Sequence, residues 1–249
     1  MVDGEQCTII WYVNNIKLSH KDEKVAKSAL DKIHKRFPSL ISKIGTSHKY
    51  LGLDVKFNKD KSACISMKDR VKRTIKISEM DVSRRAGSPA DKNLSMIDEQ
   101  FQILDVKEKE ISHACVAKSL YVSKRYRLDV QLPISFVSSR VTKLTEQDWL
   151  NLKRVLKYLN GTFDRKVTIG LNDISIMHVF VDVSYVVHCD IKSHTEGCGV
   201  FFRGALMSRS IKQYLNTKTS CEAEVVGKSD YILSSIHIRL FLEVQSYNI

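Results

Sequence analysis

At Lys166 the apolar residues of this chain change their spacing. In the stretch just before it they recur every three or four residues. In "TEQDWLNLKRVLKYLNGT", Trp149, Leu152, Leu156 and Leu159 share one helical face. Thr145 and Asp148 supply a capping-box start to that helix, and Asn160-Gly161 an end. After Lys166 the period is two: "KVTIGL", "IMHVFVDVSYVV", "GCGVFF" and "ALMSRS" read as strands joined by polar turns. A long apolar helix, from about Cys221 to Val244, follows them. Strands in series closed by one helix exclude a helical bundle and an all-β barrel, and predict an α+β fold.

The first 80 residues repeat that mixture. "TIIWYVNNIKLSH" predicts a β-hairpin in which Ile9, Ile10, Tyr12 and Val13 lead in, Asn14 and Asn15 turn, and Ile16 and Leu18 lead out. A helix follows with Val25, Ala29, Leu30, Ile33 and Phe37 on one face, stopped by Pro38. "YLGLDVKF", the turn "NKDKS" and "ACISM" predict a second hairpin. Residues 68–80 form a basic amphipathic helix with Val71, Ile75 and Met80 inward. From Asp81 to about Asp105 the pattern is polar and weak, and predicts an extended segment crossing between domains. Helices resume at Lys107–Tyr126 and Asp129–Val141, where Pro133 predicts a kink or break.

No run of about 18 apolar residues and no charged-then-apolar leader is present, so the sequence reads as intracellular, without a membrane span or signal peptide. The six cysteines are scattered and include no CxxC pair, which predicts reduced thiols. "HCDIKSHTEGC" gathers His188, Cys189, His194 and Cys198, but without the spacing of a zinc knuckle. Charge is more informative. Lys plus Arg is 40 against 28 Asp plus Glu, a net +12. Residues 118–166 hold eleven Lys or Arg against four Asp or Glu. A basic chain attracts phosphate backbones through counterion release. The candidate nucleic-acid contacts are Lys124, Arg125, Arg127, Lys153, Arg154 and Lys157.

Several stretches, in order, resemble the Pol polyprotein of copia-type LTR retrotransposons, from the end of the reverse transcriptase palm into ribonuclease H. "YVNNIKLS" is similar to that family's "YVDD" hairpin, and "HKYLGLDV" to its "FLG" primer-grip strand. "LYVSKRYRLDVQLPISFVSSRV" resembles "LLYLAKRTRPDI", with Leu128 in place of the proline. "VDVSYVVHCDIKSHTEGCGVFF" and "GALMSRSIKQYLNTKTSCEAEVV" resemble the opening of the family's ribonuclease H, "SDADWAGD…DRKSTSG…SWKSKKQ…SSTEAE". The resemblance covers almost the whole chain after about residue 8.

It implies a C-terminal palm remnant with a primer-grip-like hairpin at 1–80, a linker and helical thumb or connection at 81–165, and a truncated ribonuclease H-like α/β sheet at 166–249. It implies RNA, DNA or RNA–DNA hybrid as partner and Mg²⁺ as the family's cofactor. Asn14 and Asn15 stand at the family's two polymerase aspartates. An amide oxygen is a poor ligand for a hard dication, so the substitution keeps the turn and removes the reaction. Asp182 and Glu222 match the first two ribonuclease H metal ligands, with Lys192-Ser193 between them; the family's later aspartates would follow Ile249. Glu224 falls off that face, and Asp230 lies too close along the helix to replace them. The expectation is a degenerate, catalytically inactive reverse transcriptase–ribonuclease H fragment that binds no stable Mg²⁺; the alternative is a non-enzymatic RNA or hybrid binder derived from one. The same resemblance leaves "MHVFVDV" as an open sheet edge, which predicts self-association.

Overall fold

Two short apolar runs around a tight loop make the first hairpin. In the computed structural model, which describes residues 5–170, 176–201 and 204–247, Thr8–Tyr12 (β1) pairs antiparallel with Asn15–Ser19 (β2). Tyr12 lies opposite Asn15, so the loop is Val13–Asn14 and not the predicted Asn14–Asn15. Val13 has φ 52°. A positive φ at the first loop position alone is the sign pattern of a type II′ turn, whose twist matches the strands it joins. Glu23–Arg36 (α1) starts at Asp22, whose carboxylate accepts the Lys24 N–H at 2.8 Å. Its predicted inner face is only half covered, and α1 contains no buried residue.

"YLGLDVKF", expected as one strand of a hairpin, is divided between two strands. Ser47–Tyr50 (β3) and Leu53–Phe57 (β4) form a hairpin whose loop residues, Leu51 and Gly52, both have positive φ, at 50° and 78°. That is the type I′ signature. Ala63–Ser66 (β5) adds to β4, and Val167–Ile169 (β6) adds to β5, giving the order β3-β4-β5-β6. Between β5 and β6 the chain builds its core from Lys68–Ile77 (α2), Val106–Ser123 (α3), Gln131–Ser139 (α4) and Glu146–Gly161 (α5). Met67, Val71, Cys115, Ile134, Leu152 and Leu156 are fully buried there, in one cluster.

That cluster runs across residue 80, and β6 returns to the earlier sheet across residue 165. The boundaries predicted at those positions therefore do not coincide with breaks in packing. Residues 81–105 are not a free crossing segment either. Val82, Leu94 and Leu104 are buried, Asn160 Nδ2 donates to Val82 O at 3.1 Å, and Gln147 Nε2 donates to Met96 O at 2.7 Å. The segment is a strap along α5. Pro133 does not break its helix: it sits in the first turn of α4, after a 3₁₀ turn at Leu128–Val130, where the missing N–H has no helical partner to lose. The capping box at Thr145 and Asp148 is present as predicted.

His178–Ser184 (β7), His194–Phe201 (β8) and Gly204–Lys212 (β9) make a separate antiparallel sheet, order β7-β8-β9, and Ser220–Val244 (α6) crosses one face. Two glycines let α6 lie close. A Cβ on Gly227 would come within 2.5 Å of Val183, and one on Gly197 within 2.6 Å of the Tyr231 ring. The other face meets α4: Ser135 Oγ donates to Ser210 O at 2.7 Å and Gln131 Nε2 to Ser208 O at 3.1 Å. Among the described residues β7 pairs only with β8, so it is an edge strand as expected, with Phe180 61% exposed. Leu171 and Phe202, which end two predicted strands, lie outside the described residues. The fold is α+β, and no described helix is long and apolar enough to cross a membrane.

Candidate nucleic-acid interface

The β3–β4 turn meets a paired cationic arrangement. Tyr121, near the end of α3, donates from its hydroxyl to Leu51 O at 2.6 Å. The Arg70 guanidinium lies 4.1 Å from the centre of the Tyr121 ring and the Arg125 guanidinium 3.7 Å. Two planar cations that close to one ring centre cannot share a face, so they stack on opposite sides. Arg70 also lies against Gly52, where a Cβ would meet its Nη2 at 3.3 Å. A second aromatic is capped in a similar way: Lys68 and Lys72 of α2 sit 4.7 Å and 5.1 Å from the Phe163 ring centre. The face thus combines α2, the end of α3 and the start of the chain leading to β6. Lys124 and Arg125 stand beside a shallow groove lined by Ile65, Tyr126, Leu128, Val167 and Met207.

The six predicted contacts divide. Lys124 and Arg125 are exposed on this face. Arg127 is not: it is 2% exposed and spent on the fold. It donates to both Asp129 carboxylate oxygens at 2.8 Å, to Thr162 O at 3.0 Å and to Thr162 Oγ1 at 2.7 Å, and Tyr158 adds a bond to Asp129 at 2.8 Å. Burial alone would raise the Asp129 carboxyl; Arg127 more than offsets it and holds it below the ordinary range. Arg154 pairs with Asp91 at 3.3 Å and with Ser88 at 3.1 Å in the strap. Lys153 and Lys157 are half-buried on α5 near Asp81, whose carboxyl is held below its ordinary range first by the Ser83 hydroxyl and N–H and then by these two lysines. Arg70, Lys68 and Lys72 were legible as cations of a basic amphipathic helix, but their place beside Arg125 depends on how α2 packs on α3.

The residues that the resemblance would place at metal sites are not brought together. Asn14 and Asn15 are exposed, and Asn15 Nδ2 donates to Asn14 Oδ1 at 2.8 Å. Neither brings a negative charge. Glu222 acts as a helix cap: its carboxylate accepts the Lys218 N–H at 2.7 Å and its own N–H donates to Thr219 Oγ1 at 3.1 Å. Asp182 lies on the face of β7 turned away from α6, since its neighbour Val183 is the residue beneath Gly227. The expected Asp182–Glu222 pair is therefore split between opposite sides of the sheet. The carboxylate that does face Asp182 is Glu196, its direct partner across β7 and β8. Desolvation, then Asp182, raise the Glu196 pKa against a lowering bond from Ser210. Strand register created that pairing, and nothing local in the sequence announces register. His188 and His194 are buried and bonded to each other, with Cys189 exposed.

Compared with known protein families, characterised proteins and solved structures, the chain matches none.

Proposed function

We infer that this protein is a non-enzymatic RNA or RNA–DNA hybrid binder derived from a copia-type reverse transcriptase–ribonuclease H. The observation that carries the reading is the Arg70–Tyr121–Arg125 stack. Each guanidinium is oriented by the ring and keeps N–H donors for phosphate oxygens. Both faces of Tyr121 are occupied, so the ring offers no platform for a base, and the contact is to the backbone. The net charge of +12 and the nearby Lys68, Lys72 and Lys124 support the same partner. The asparagines at the family's polymerase positions and the capping role of Glu222 support the loss of metal-dependent chemistry.

Fluorescence anisotropy with a labelled RNA–DNA hybrid tests this. If all five cations meet phosphates, affinity should fall on the order of 500-fold between ~50 and ~200 mM salt. Arg70→Glu with Arg125→Glu should abolish binding, and Lys153→Glu with Arg154→Glu should weaken it far less. Salt-independent binding, or equal loss in both double variants, would sink the assignment. Template-dependent primer extension above a no-enzyme blank would show that the polymerase reaction survives.

A further inference from the structure

We propose that Ser88 is a phosphorylation site for a proline-directed protein kinase, and that Arg154 receives the phosphoryl group. The chain has three prolines, preceded by Phe37, Ser88 and Leu132, so Ser88-Pro89 is its single Ser-Pro or Thr-Pro step. A kinase that selects proline after the acceptor presents a site in which an ordinary N–H would be stranded, and proline has no N–H to strand. Proline also biases Ser88 toward the extended backbone that a kinase groove takes up.

The strap is open to such a groove at this point. Val82 and Leu94, on either side, are buried. Between them Arg84, Arg85, Gly87 and Ser88 are exposed. Among the described residues, no backbone–backbone hydrogen bond engages residues 82–90, and no helix or strand includes them. Drawing this segment out therefore breaks side-chain contacts and no ladder.

Arg154 shows what the segment lacks. A guanidinium presents its Nε–H and one Nη2–H as a side-on fork. Nη2 donates to Ser88 Oγ at 3.1 Å. Nε is out of contact with solvent and has no acceptor among the described residues. Half of the fork is occupied and half is orphaned, and the occupied half ends on the atom that a kinase would esterify. An unpartnered buried N–H is costly, and a phosphoryl oxygen on Ser88 would supply the missing acceptor. The nearby anion, Asp91, is held through Nη1 at 3.3 Å, outside the Nε–Nη2 fork. Arg84 and Arg85 add two cations within four residues of Ser88.

In the transfer, Ser88 Oγ attacks the γ-phosphorus of ATP, and the bond from that phosphorus to the β,γ-bridging oxygen breaks. ADP leaves, and the hydroxyl proton passes to the kinase's carboxylate base. That proton is the one Ser88 donates to Ala90 O at 2.8 Å in the unmodified chain. A neutral bond to Ala90 is thus exchanged for charge-assisted bonds to Arg154, and the strap is fastened to α5.

Incubation of the full chain with a mitogen-activated protein kinase and MgATP tests the site. Intact mass should rise by one phosphoryl group, and Ser88→Ala and Pro89→Ala should each abolish the gain. Phosphorus-31 titration of the modified chain tests the receiver. The second phosphate pKa should fall below the ~6 of a free phosphoserine, and should return toward it in Arg154→Gln. Should Arg154→Gln not fold, Asp91→Asn, which removes the neighbouring anion, should deepen the fall. Trypsin cleavage after Arg84 and Arg85 should slow roughly tenfold on phosphorylation, as the new bonds close the strap. A folded chain left unmodified would overturn the proposal. So would modification that persists in Ser88→Ala, or a phosphoserine with an ordinary pKa.

Discussion

His188 Nε2 and His194 Nδ1 lie 3.1 Å apart, and His194 Nε2 reaches Ser210 Oγ at 2.8 Å. This buried chain sits where the β7–β9 sheet meets the helical core, because His188 also stacks on Phe136 of α4, with ring centres 5.8 Å apart. Burial, with His188 beside it, pushes His194 down to about 4. His188 is lowered by burial and then by Lys212, partly offset by Asp190. Both rings are neutral at pH 7.

A sharp acid sensitivity follows. The unfolded chain takes up the His194 proton near pH 6.5, and the folded chain resists it down to about 4. The contribution is therefore complete above 6.5 and is lost as pH falls toward 4, by about 3 kcal/mol. Thermal melts should drop by roughly 6–12 °C over that window. His194→Asn should flatten the dependence. Melts that stay level from pH 7 to pH 4.5 in the parent protein would contradict this account.

Arg127 should matter to stability and not directly to nucleic-acid contact. Arg127→Ala leaves Asp129 without its bidentate partner and removes two bonds to Thr162, at a cost of about 3–5 kcal/mol. Arg127→Lys should recover little, because one ammonium cannot reproduce the fork. Urea unfolding measures the loss. Anisotropy below the melting range should find hybrid affinity within about twofold of the parent for whatever fraction stays folded, a difference of roughly 0.4 kcal/mol.

Val13 offers a gain. A β-branched residue at φ 52° is strained, and the first position of a II′ turn favours glycine. Val13→Gly should stabilise the hairpin by on the order of 1 kcal/mol, seen as slower amide exchange across β1 and β2. Faster exchange would contradict strain at Val13 in the turn.

The sequence shows helices more readily than partners. Residues that cap and line α5, Thr145, Asp148, Leu152 and Leu156, lie close in the chain and announce themselves. Asparagine's tolerance of positive φ favours a loop at Asn14–Asn15, whereas cross-strand pairing sets it one residue earlier, at Val13–Asn14. Local patterns also left the four-stranded sheet unseen, since β6 joins β5 a hundred residues away. Charge composition pointed to residues 118–166, yet could not separate the exposed Arg125 from the buried Arg127 two positions on. The resemblance pairs Asp182 with Glu222, whereas strand register sets it opposite Glu196.

That last pairing is itself testable. Like charges directly opposite on neighbouring strands destabilise by a few tenths to about 1 kcal/mol. Asp182→Asn should therefore raise stability at pH 7, and should bring the Glu196 pKa back toward the ordinary carboxylate range in a carbon-detected titration. No movement of Glu196 would show that desolvation alone sets its pKa.

The Arg70–Tyr121–Arg125 stack separates geometry from charge, which allows one residue to test both. Tyr121→Phe removes only the hydroxyl bond to Leu51 O and keeps the ring between the guanidiniums. Hybrid affinity should stay close to that of the parent. Tyr121→Leu keeps both cations and deletes the surface that orients them. Two cation–π contacts on a half-buried ring together contribute about 1–2 kcal/mol, so affinity should fall roughly 5- to 30-fold. The number of cations is unchanged, and the slope of log affinity against log salt should be unchanged with it, since that slope counts neutralised phosphates. Arg125→Gln makes the complementary change, removing a charge while leaving Arg70 stacked, and should make the slope shallower by about 0.9. If Tyr121→Leu alters the slope, or leaves the affinity untouched, the ring does not orient these guanidiniums for phosphate, and the binding face must be sought elsewhere on the basic surface.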